Sequence, residues 1–234
     1  MTPRAIPLLA LVTALCAACN GTSSQNAPAV AAPASTHEHS SGSERGCPDV
    51  QTYSDQLDEP ERDEWQRPKV VIELLECRAG MTVVDLGAGT GYFLRYLSEA
   101  VGREGRVLAL DISPSSIEWM SSRIEREGLQ NVRPVLVAPD DPALSPGSVD
   151  RILVANTWHH ISERVDYAQR LLAALRPGGL LLIVDFTTDS PEGPPPNMRL
   201  TYDTVTRELE IAGFAVEVVQ ESLPYQYVIA GRVP

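Results

Sequence analysis

Lysine is almost missing from this chain: Lys69 is the only one among 234 residues, and no Lys/Arg cluster occurs anywhere. The formal net charge is −12. A chain so acidic, with no basic stripe, is poorly suited to a polyanion, which argues against nucleic acid as a partner. Cysteine is scarce as well. Of the four, Cys16 and Cys19 belong to the N-terminal apolar stretch, which leaves Cys47 and Cys77 for the folded part. An exported protein can pair them, but their separation in space is not legible in sequence. Cys77 stands outside any cysteine cluster, so thiol-cluster chemistry has no support. Histidine is limited to His37, His39, His159 and His160, and no His/Asp/Glu set with metal-ligand spacing is present. No internal repeat is evident.

The chain also lacks an apolar run long enough to span a bilayer as a mature helix. The run Ala5–Ala18, about 14 residues, follows Arg4 and ends in small residues, which is the pattern of a secretory signal. Its end, Leu15-Cys16-Ala17-Ala18-Cys19, resembles the lipobox of bacterial lipoproteins, with Cys16 where leucine is usual. Residues 1–18 are therefore expected to be a signal peptide, and Cys19 a lipidated anchor. Plain secretion with cleavage nearby and an uncleaved anchor are the alternatives. The expected location is exported: a membrane-anchored lipoprotein of the bacterial cell envelope, on the periplasmic side. Residues 19–46 are Ala, Ser, Pro, Thr, Gly and Asn with little that can be buried, and are expected to be a flexible tether. His37-Glu38-His39 within it is read as polar linker rather than as a weak metal site. Residues 47–80 are expected to form an N-terminal helical cap and residues 81–234 the main domain, together enough for one sizeable core.

Against these absences, one segment carries dense information. Met81-Thr-Val-Val-Asp85-Leu is an apolar strand-like run, and Gly87-Ala-Gly89-Thr-Gly91 follows immediately, leading into a helical pattern from Tyr92. A strand turning sharply into a helix presents backbone N–H groups to a polar or anionic small molecule. The dinucleotide fingerprint Gly-x-Gly-x-x-Gly requires glycine at position 92, where tyrosine stands, so the ordinary NAD grip is disfavoured.

From there strands and helices alternate. Strands are expected at 82–86, 106–110, 132–137, 149–155 and 180–186. Helices are expected at 91–101, at 114–127 after a Ser113-Pro114 cap, and at 161–175. The strands are short and rich in Val, Ile and Leu, as in a parallel sheet covered on both faces. A Pro-rich loop, 191–196, precedes a helix at 201–212, then strands 214–221 and 225–230 whose short link makes them antiparallel. Upstream, Tyr53–Glu76 reads as mainly helical, with starts near Pro60 and Pro68. The expected fold is α/β: a doubly wound, seven-stranded, mostly parallel sheet with a C-terminal antiparallel hairpin.

The strand–Asp85-Leu-Gly87-Ala-Gly89-Thr-Gly91–helix segment resembles motif I of class I S-adenosylmethionine-dependent methyltransferases. Further pieces fall in that family's order: Asp111 ending strand two, Asp140-Asp141 after strand three, Asn156-Thr-Trp158-His159-His160 after strand four, and Leu175-Arg-Pro-Gly178-Gly179 before strand five. The resemblance covers about Tyr53 to Ala230 and is nearest to the ubiquinone-biosynthesis-like branch and to exported bacterial methyltransferases. It implies a Rossmann-like methyltransferase fold with S-adenosyl-L-methionine as cofactor. Gly87, Gly89 and Gly91 would let the methionyl part lie against backbone, and Asp85 would accept from its amino group. Asp111 would hold the ribose hydroxyls or else cap a helix. Ile112 would pack on adenine, and Asp140 or, slightly preferred, Asp141 would accept from the adenine amino group or form an ordinary turn. Asn156 would stand at the mouth of the site.

Methyl transfer is an in-line displacement that needs alignment and, for a protic nucleophile, a base. His160 and His159 are the candidate bases, His160 ahead; the alternative places them as helix-start residues bonded to backbone. No Asn-Pro-Pro-Tyr segment follows strand four, which disfavours methylation of amide or base amino groups. Tyr53, Trp65, Tyr92, Trp158 and Tyr202 are candidate walls of an acceptor pocket, or core, and Pro194–Asn197 a candidate lid. The reading is a methyltransferase acting on a small-molecule or lipid-like acceptor, with a lipid-anchored, non-catalytic cofactor-binding module as the alternative.

Overall fold

The structure, a computed structural model, describes residues 61–220 and 223–234. The signal-like segment, Cys19, the tether with His37 and His39, Cys47, Tyr53 and Pro60 lie outside the described residues. Two short helices come first, α1 (Arg62–Gln66) and α2 (Pro68–Leu74). They are separate because Arg67 precedes a proline, which disfavours helical backbone, and it adopts φ 44° instead. The sheet-forming order is then β1 (Thr82–Leu86), α3 (Leu94–Val101), β2 (Arg106–Asp111), α4 (Pro114–Glu127), β3 (Val132–Leu136), β4 (Val149–Ala155), α5 (Arg164–Ala174), β5 (Leu175–Phe186), α6 (Tyr202–Ala212), β6 (Ala215–Val219) and β7 (Gln226–Arg232). Short 3₁₀ turns stand at Trp158–His160 and Pro196–Met198.

The seven strands lie in the order β3-β2-β1-β4-β5-β7-β6. β1 to β5 are parallel, and β7 pairs antiparallel with both β5 and β6. The antiparallel hairpin expected at the C-terminus is present. Its second strand, however, is inserted between β5 and β6 rather than added at the edge. β7 reads Gln-Tyr-Val-Ile-Ala-Gly-Arg and is buried along nearly its whole length, so it belongs inside the sheet, while half-exposed β6 takes the edge. Pro134 is tolerated in β3 because that strand is the other edge.

Strand alternation divides the core. Val83, Leu153, Leu182 and Val228 face α2, α3 and α4, packing with Val71, Leu94, Leu97 and Met120. Val84, Ile152, Ile183 and Ile229 face α5 and α6, packing with Leu171, Val205 and Leu209. Burial on both faces explains why the strands are continuous apolar runs. Several boundaries differ from expectation: α5 starts at Arg164 rather than 161, β6 is confined to Ala215–Val219, and β7 runs on to Arg232. The turn through Gly91–Phe93 delays α3 until Leu94, and β5 begins at Leu175, with Arg176–Gly179 bulging out before pairing with β4 resumes at Leu180.

Candidate active site

The chain leaves β1 toward β2 and β3, then returns to place β4 on the other side of β1. That reversal opens a crevice at the carboxyl ends of β1 and β4, the usual ligand position in such sheets. The glycine turn forms one lip. The N–H groups of Gly87 and Ala88 both donate to the Leu110 carbonyl, at 2.8 and 3.0 Å, which ties the turn to the end of β2. Gly87 has φ 72°, and a Cβ there would lie 2.3 Å from Thr157 Cγ2, in the loop after β4. Glycine at 87 thus lets the two lips of the crevice meet. Gly89 differs: φ is 55°, and a Cβ would meet nothing within 4 Å, so its open side is room beside bare backbone.

Around the turn stand carboxylates. Asp85, on β1, is 2% exposed and its Oδ2 has no hydrogen-bond partner. Burial raises its pKa to about 7, with nearby Arg62 opposing and Asp111 adding to the rise. A buried, unpartnered carboxyl oxygen in a crevice is a receptor for a donor the protein does not supply. Asp111 ends β2. Its Oδ2 accepts from Gly89 N–H at 2.8 Å and its Oδ1 from Ser113 N–H at 2.9 Å. It is not the cap of α4, since Ser113 Oγ takes that place by accepting from Ser116 N–H. Two of the roughly four acceptor positions of its carboxylate are thereby used, and the others remain for a ligand. Ile112, beside it, is apolar yet 45% exposed, an apolar contact surface next to the acid. Asp140 and Asp141 are both exposed after β3. Asp141 Oδ1 accepts from Ala143 N–H at 2.8 Å and its Oδ2 lies 3.9 Å from Arg170, so Asp141 builds a turn. Gly91, at φ 79°, packs where a Cβ would strike Leu94 and Met120, which makes its role one of turn-to-helix packing.

The other lip is the loop after β4. Asn156 stands there with φ 57°, and its backbone N–H donates to Val184 O. Its side chain belongs to a closed ring of three amides. Asn156 Nδ2 donates to Gln66 Oε1 at 2.9 Å, Gln66 Nε2 donates to Gln226 Oε1 at 2.9 Å, and Gln226 Nε2 donates to Asn156 Oδ1. The ring joins α1 to the ends of β4 and β7. Trp158, a candidate pocket wall by sequence, is instead fully buried core, its indole N–H donating to Glu208 at 3.2 Å. The His159 side chain is 2% exposed. Its Nδ1 lies 2.9 and 3.0 Å from the two carboxylate oxygens of Asp185, and its backbone N–H donates to the same group. A carboxylate only accepts, so Nδ1 is the nitrogen that donates its proton to Asp185. His160 is exposed, its ring 4.1 Å from that of His159. Desolvation, then His159, push its pKa below the ordinary value, against the pull of Asp185.

Trp65, on α1, packs at 5.9 Å on Phe186 and 6.1 Å on Tyr225, giving an aromatic wall beside the amide ring. Tyr92 is buried, its hydroxyl donating to Asp63, while Tyr202 is exposed at the start of α6. The loop carrying Pro194–Asn197 is fastened by Arg199, whose guanidinium donates to the carbonyls of Thr187, Thr188, Ser190, Glu192 and Pro194. Sequence reading missed Asp185, Gln66 and Gln226. Asp185 carried a signal, being an acid near the carboxyl end of an apolar strand, as Asp85 and Asp111 are in theirs. The two glutamines carried none.

Cys77 is half-buried, and burial pushes its thiol up to about 11; the pairing considered for it concerns Cys47, outside the described residues.

The comparisons agree with this arrangement. A family model described as a methyltransferase domain matches residues 83–179, from within β1 to the bulge of β5. The ubiquinone/menaquinone biosynthesis C-methyltransferases UbiE of Legionella pneumophila and Azotobacter vinelandii are 30% and 32% identical over 53% and 54% of this chain. The match spans about half the length of each, 49%. A solved SAM-dependent methyltransferase from Aquifex aeolicus is 30% identical, covers 80% of this chain and 99% of its own, and superimposes with a TM-score of 0.75. The unpartnered oxygen of Asp85, the open face of Gly89 and the strand-end Asp111 form a cradle that fits the cofactor of those proteins. The chain belongs to the class I S-adenosylmethionine-dependent methyltransferases, with S-adenosyl-L-methionine as its cofactor.

Proposed function

We propose that this chain methylates a small, lipid-like acceptor that gives up a proton, with His160 as the base and His159 as the residue that positions it. The cofactor, when bound, supplies an electrophilic methyl group on a sulfonium. The protein's own share is to hold that cofactor, wall off the acceptor and take the acceptor's proton. In this reading Gly87, Gly89 and Gly91 shape the cradle, while Asp85 accepts from the ammonium group and Asp111 from the ribose hydroxyls. Ile112 lies against adenine, with Asp140 and Asp141 at its rim. Asp141 is engaged in its turn, so Asp140 is the freer acceptor. Asn156 fixes the mouth of the site.

The observation that carries the catalytic part is the Asp185–His159 pair. It anchors the loop after β4 and leaves the adjacent His160 exposed and held in its neutral, proton-accepting form at pH 7. The aromatic wall of Trp65, Phe186 and Tyr225 favours an apolar acceptor. The UbiE relatives are C-methyltransferases of ubiquinone/menaquinone biosynthesis, and that supports a lipid-like one. Lipidation at Cys19 would hold the domain at a membrane of the cell envelope, on the periplasmic side, beside such molecules. It would also require cofactor to reach that compartment.

The deciding experiment incubates purified protein with methyl-labelled S-adenosylmethionine and total lipid from the host envelope, and looks for label in an organic extract. Label that disappears in His160→Asn is expected. Bound cofactor without transfer to any lipid, phenol or quinol would refute the acceptor assignment and favour a non-catalytic module. For the anchor, the full-length chain should partition with membranes and Cys19→Ser with the soluble fraction. Equal partitioning refutes lipidation.

A further inference from the structure

After β5 the chain enters a loop, residues 187–201, that leaves the sheet at the same carboxyl end as the glycine turn. The backbone of this loop depends little on water. Four of its residues, Pro191, Pro194, Pro195 and Pro196, have no N–H to satisfy. The Arg199 guanidinium spends its donors on five of the loop's carbonyls, from 2.6 Å at Ser190 and 2.7 Å at Pro194 to 3.4 Å at Thr187. The carbonyls of Pro195 and Pro196 accept from the N–H groups of Met198 and Arg199. Ser190 Oγ bonds both the carbonyl and the N–H of Glu192. A loop in water can leave such groups to solvent, but a loop that meets an apolar phase cannot. The side chains match the backbone. Pro195 and Pro196 are exposed, Met198 is 38% exposed, and Tyr202, which opens α6, is 48% exposed. On its inner side the loop lies against Phe186: a Cβ on Gly193 would stand 2.5 Å from that ring. Phe186 in turn packs on Trp65, and Trp65 on Tyr225. Apolar groups thus continue from the exposed loop to the aromatic wall of the crevice.

We propose that the segment Pro194–Tyr202 is a membrane-contact surface, fitted to the interface of a zwitterionic bilayer, and that a lipid-like acceptor passes over it to the aromatic wall. The passage, unlike the contact, rests on the acceptor reading above. A bilayer suits the segment better than a protein partner does. Its backbone leaves few groups for a partner to pair with, and a tyrosine beside prolines and a methionine is the make-up of an interfacial anchor. Charge decides the kind of bilayer. Asp189, Glu192 and Asp203 are exposed around the segment and the chain carries a net −12, so an anionic surface repels it. About 40 residues separate Cys19 from Arg62. A coil of that length spans about 35 Å, so lipidation at Cys19 would keep the loop within reach of the same surface.

The test places a reporter in the loop of the full chain, Met198→Trp, and measures quenching of its fluorescence by vesicles of brominated phosphatidylcholine. The signal is the difference from the unsubstituted chain, which has three tryptophans of its own. Gln130→Trp, exposed just before β3 at the opposite end of the sheet, is the control. Quenching is expected in Met198→Trp and not in Gln130→Trp, whatever else ties the chain to the vesicle. Quenching in neither, or equal quenching in both, overturns the proposal. Adding Tyr202→Asp to the reporter should weaken the loop's hold on the bilayer by about tenfold, and unchanged quenching overturns the proposal. An acid suits the first turn of α6, so this variant keeps its fold. Vesicles of brominated phosphatidylglycerol should quench less, and stronger quenching there overturns the zwitterionic assignment. A blue shift of Met198→Trp that grows with protein concentration without vesicles overturns the proposal in favour of a second copy of this chain. Quenching without methyl transfer to any lipid keeps the contact and refutes the acceptor reading. Transfer to lipid without quenching keeps the acceptor reading and overturns the contact.

Discussion

Replacing Asp85 by asparagine should make the cofactor-free protein more stable at alkaline pH than the wild type, and the size of the effect follows from burial. The Asp85 carboxyl titrates near 7 in the folded chain against an ordinary value of 3.8. Its folded pKa is raised, so between those values the folded state holds a proton that the unfolded state has released, and stability falls as pH rises. The loss is complete once pH exceeds the folded pKa. Each pKa unit is worth about 1.36 kcal/mol, so from pH 5 to pH 8 Asp85 alone removes about 3 kcal/mol. Asparagine has nearly the same shape and no charge, so the variant lacks this slope. Other titrating groups are common to both proteins and cancel in the difference. Melting curves at pH 5 and pH 8 should show the gap between variant and wild type widening in favour of the variant by about 6–12 °C, using about 2–4 °C per kcal/mol for a domain of this size. Cofactor affinity should fall in the same variant, since an amide cannot pair with an ammonium ion. A constant gap across that pH range would refute the view of Asp85 as a buried carboxyl held without a protein partner.

The two glycines of the turn should separate stability from binding. Gly87→Ala forces a Cβ to 2.3 Å from Thr157 at positive φ and is expected to lower stability by about 2–5 kcal/mol in denaturant titration. Gly89→Ala, with open space and only the left-handed backbone cost of about 1–2 kcal/mol, should stay folded yet lose most of its affinity for S-adenosylhomocysteine. Asp111→Asn gives up charge at the end of β2 and should weaken S-adenosylhomocysteine by about ten- to a hundredfold in calorimetry. His160→Asn should lower the rate of transfer by about 10²- to 10⁴-fold with cofactor affinity unchanged. In the wild type, transfer should fail on the acid side with a midpoint below 6.5, because His160 must be neutral to accept a proton and its pKa is lowered. His159→Asn should shift that midpoint, a change that a purely structural role would not produce.

Local chemistry wrote much of this molecule into its sequence. Apolar strands of five to seven residues, such as Thr82–Leu86 and Val149–Ala155, declare a sheet covered on both faces because nothing else buries every side chain of so short a run. Ser113-Pro114 fixes the start of α4 to the residue, since the hydroxyl cap and the preset proline φ act within one turn of chain. The glycine turn and strand-end Asp111 were legible for the same reason: positive φ and a strand terminus are local properties.

Tertiary structure decided what depends on pairing across the chain. It inserted β7 between β5 and β6, which turns on the burial of a strand that starts 40 positions after β5 ends, Phe186 pairing with Gln226. It sent Trp158 into the core and set His159 against Asp185, 26 residues away. It closed the amide ring from positions 66, 156 and 226. The partners in the amide ring and in the His159–Asp185 pair are polar, and a polar side chain shows no periodicity that marks what it will meet. Only the folded sheet, by bringing strand ends to a common edge, could choose those pairs.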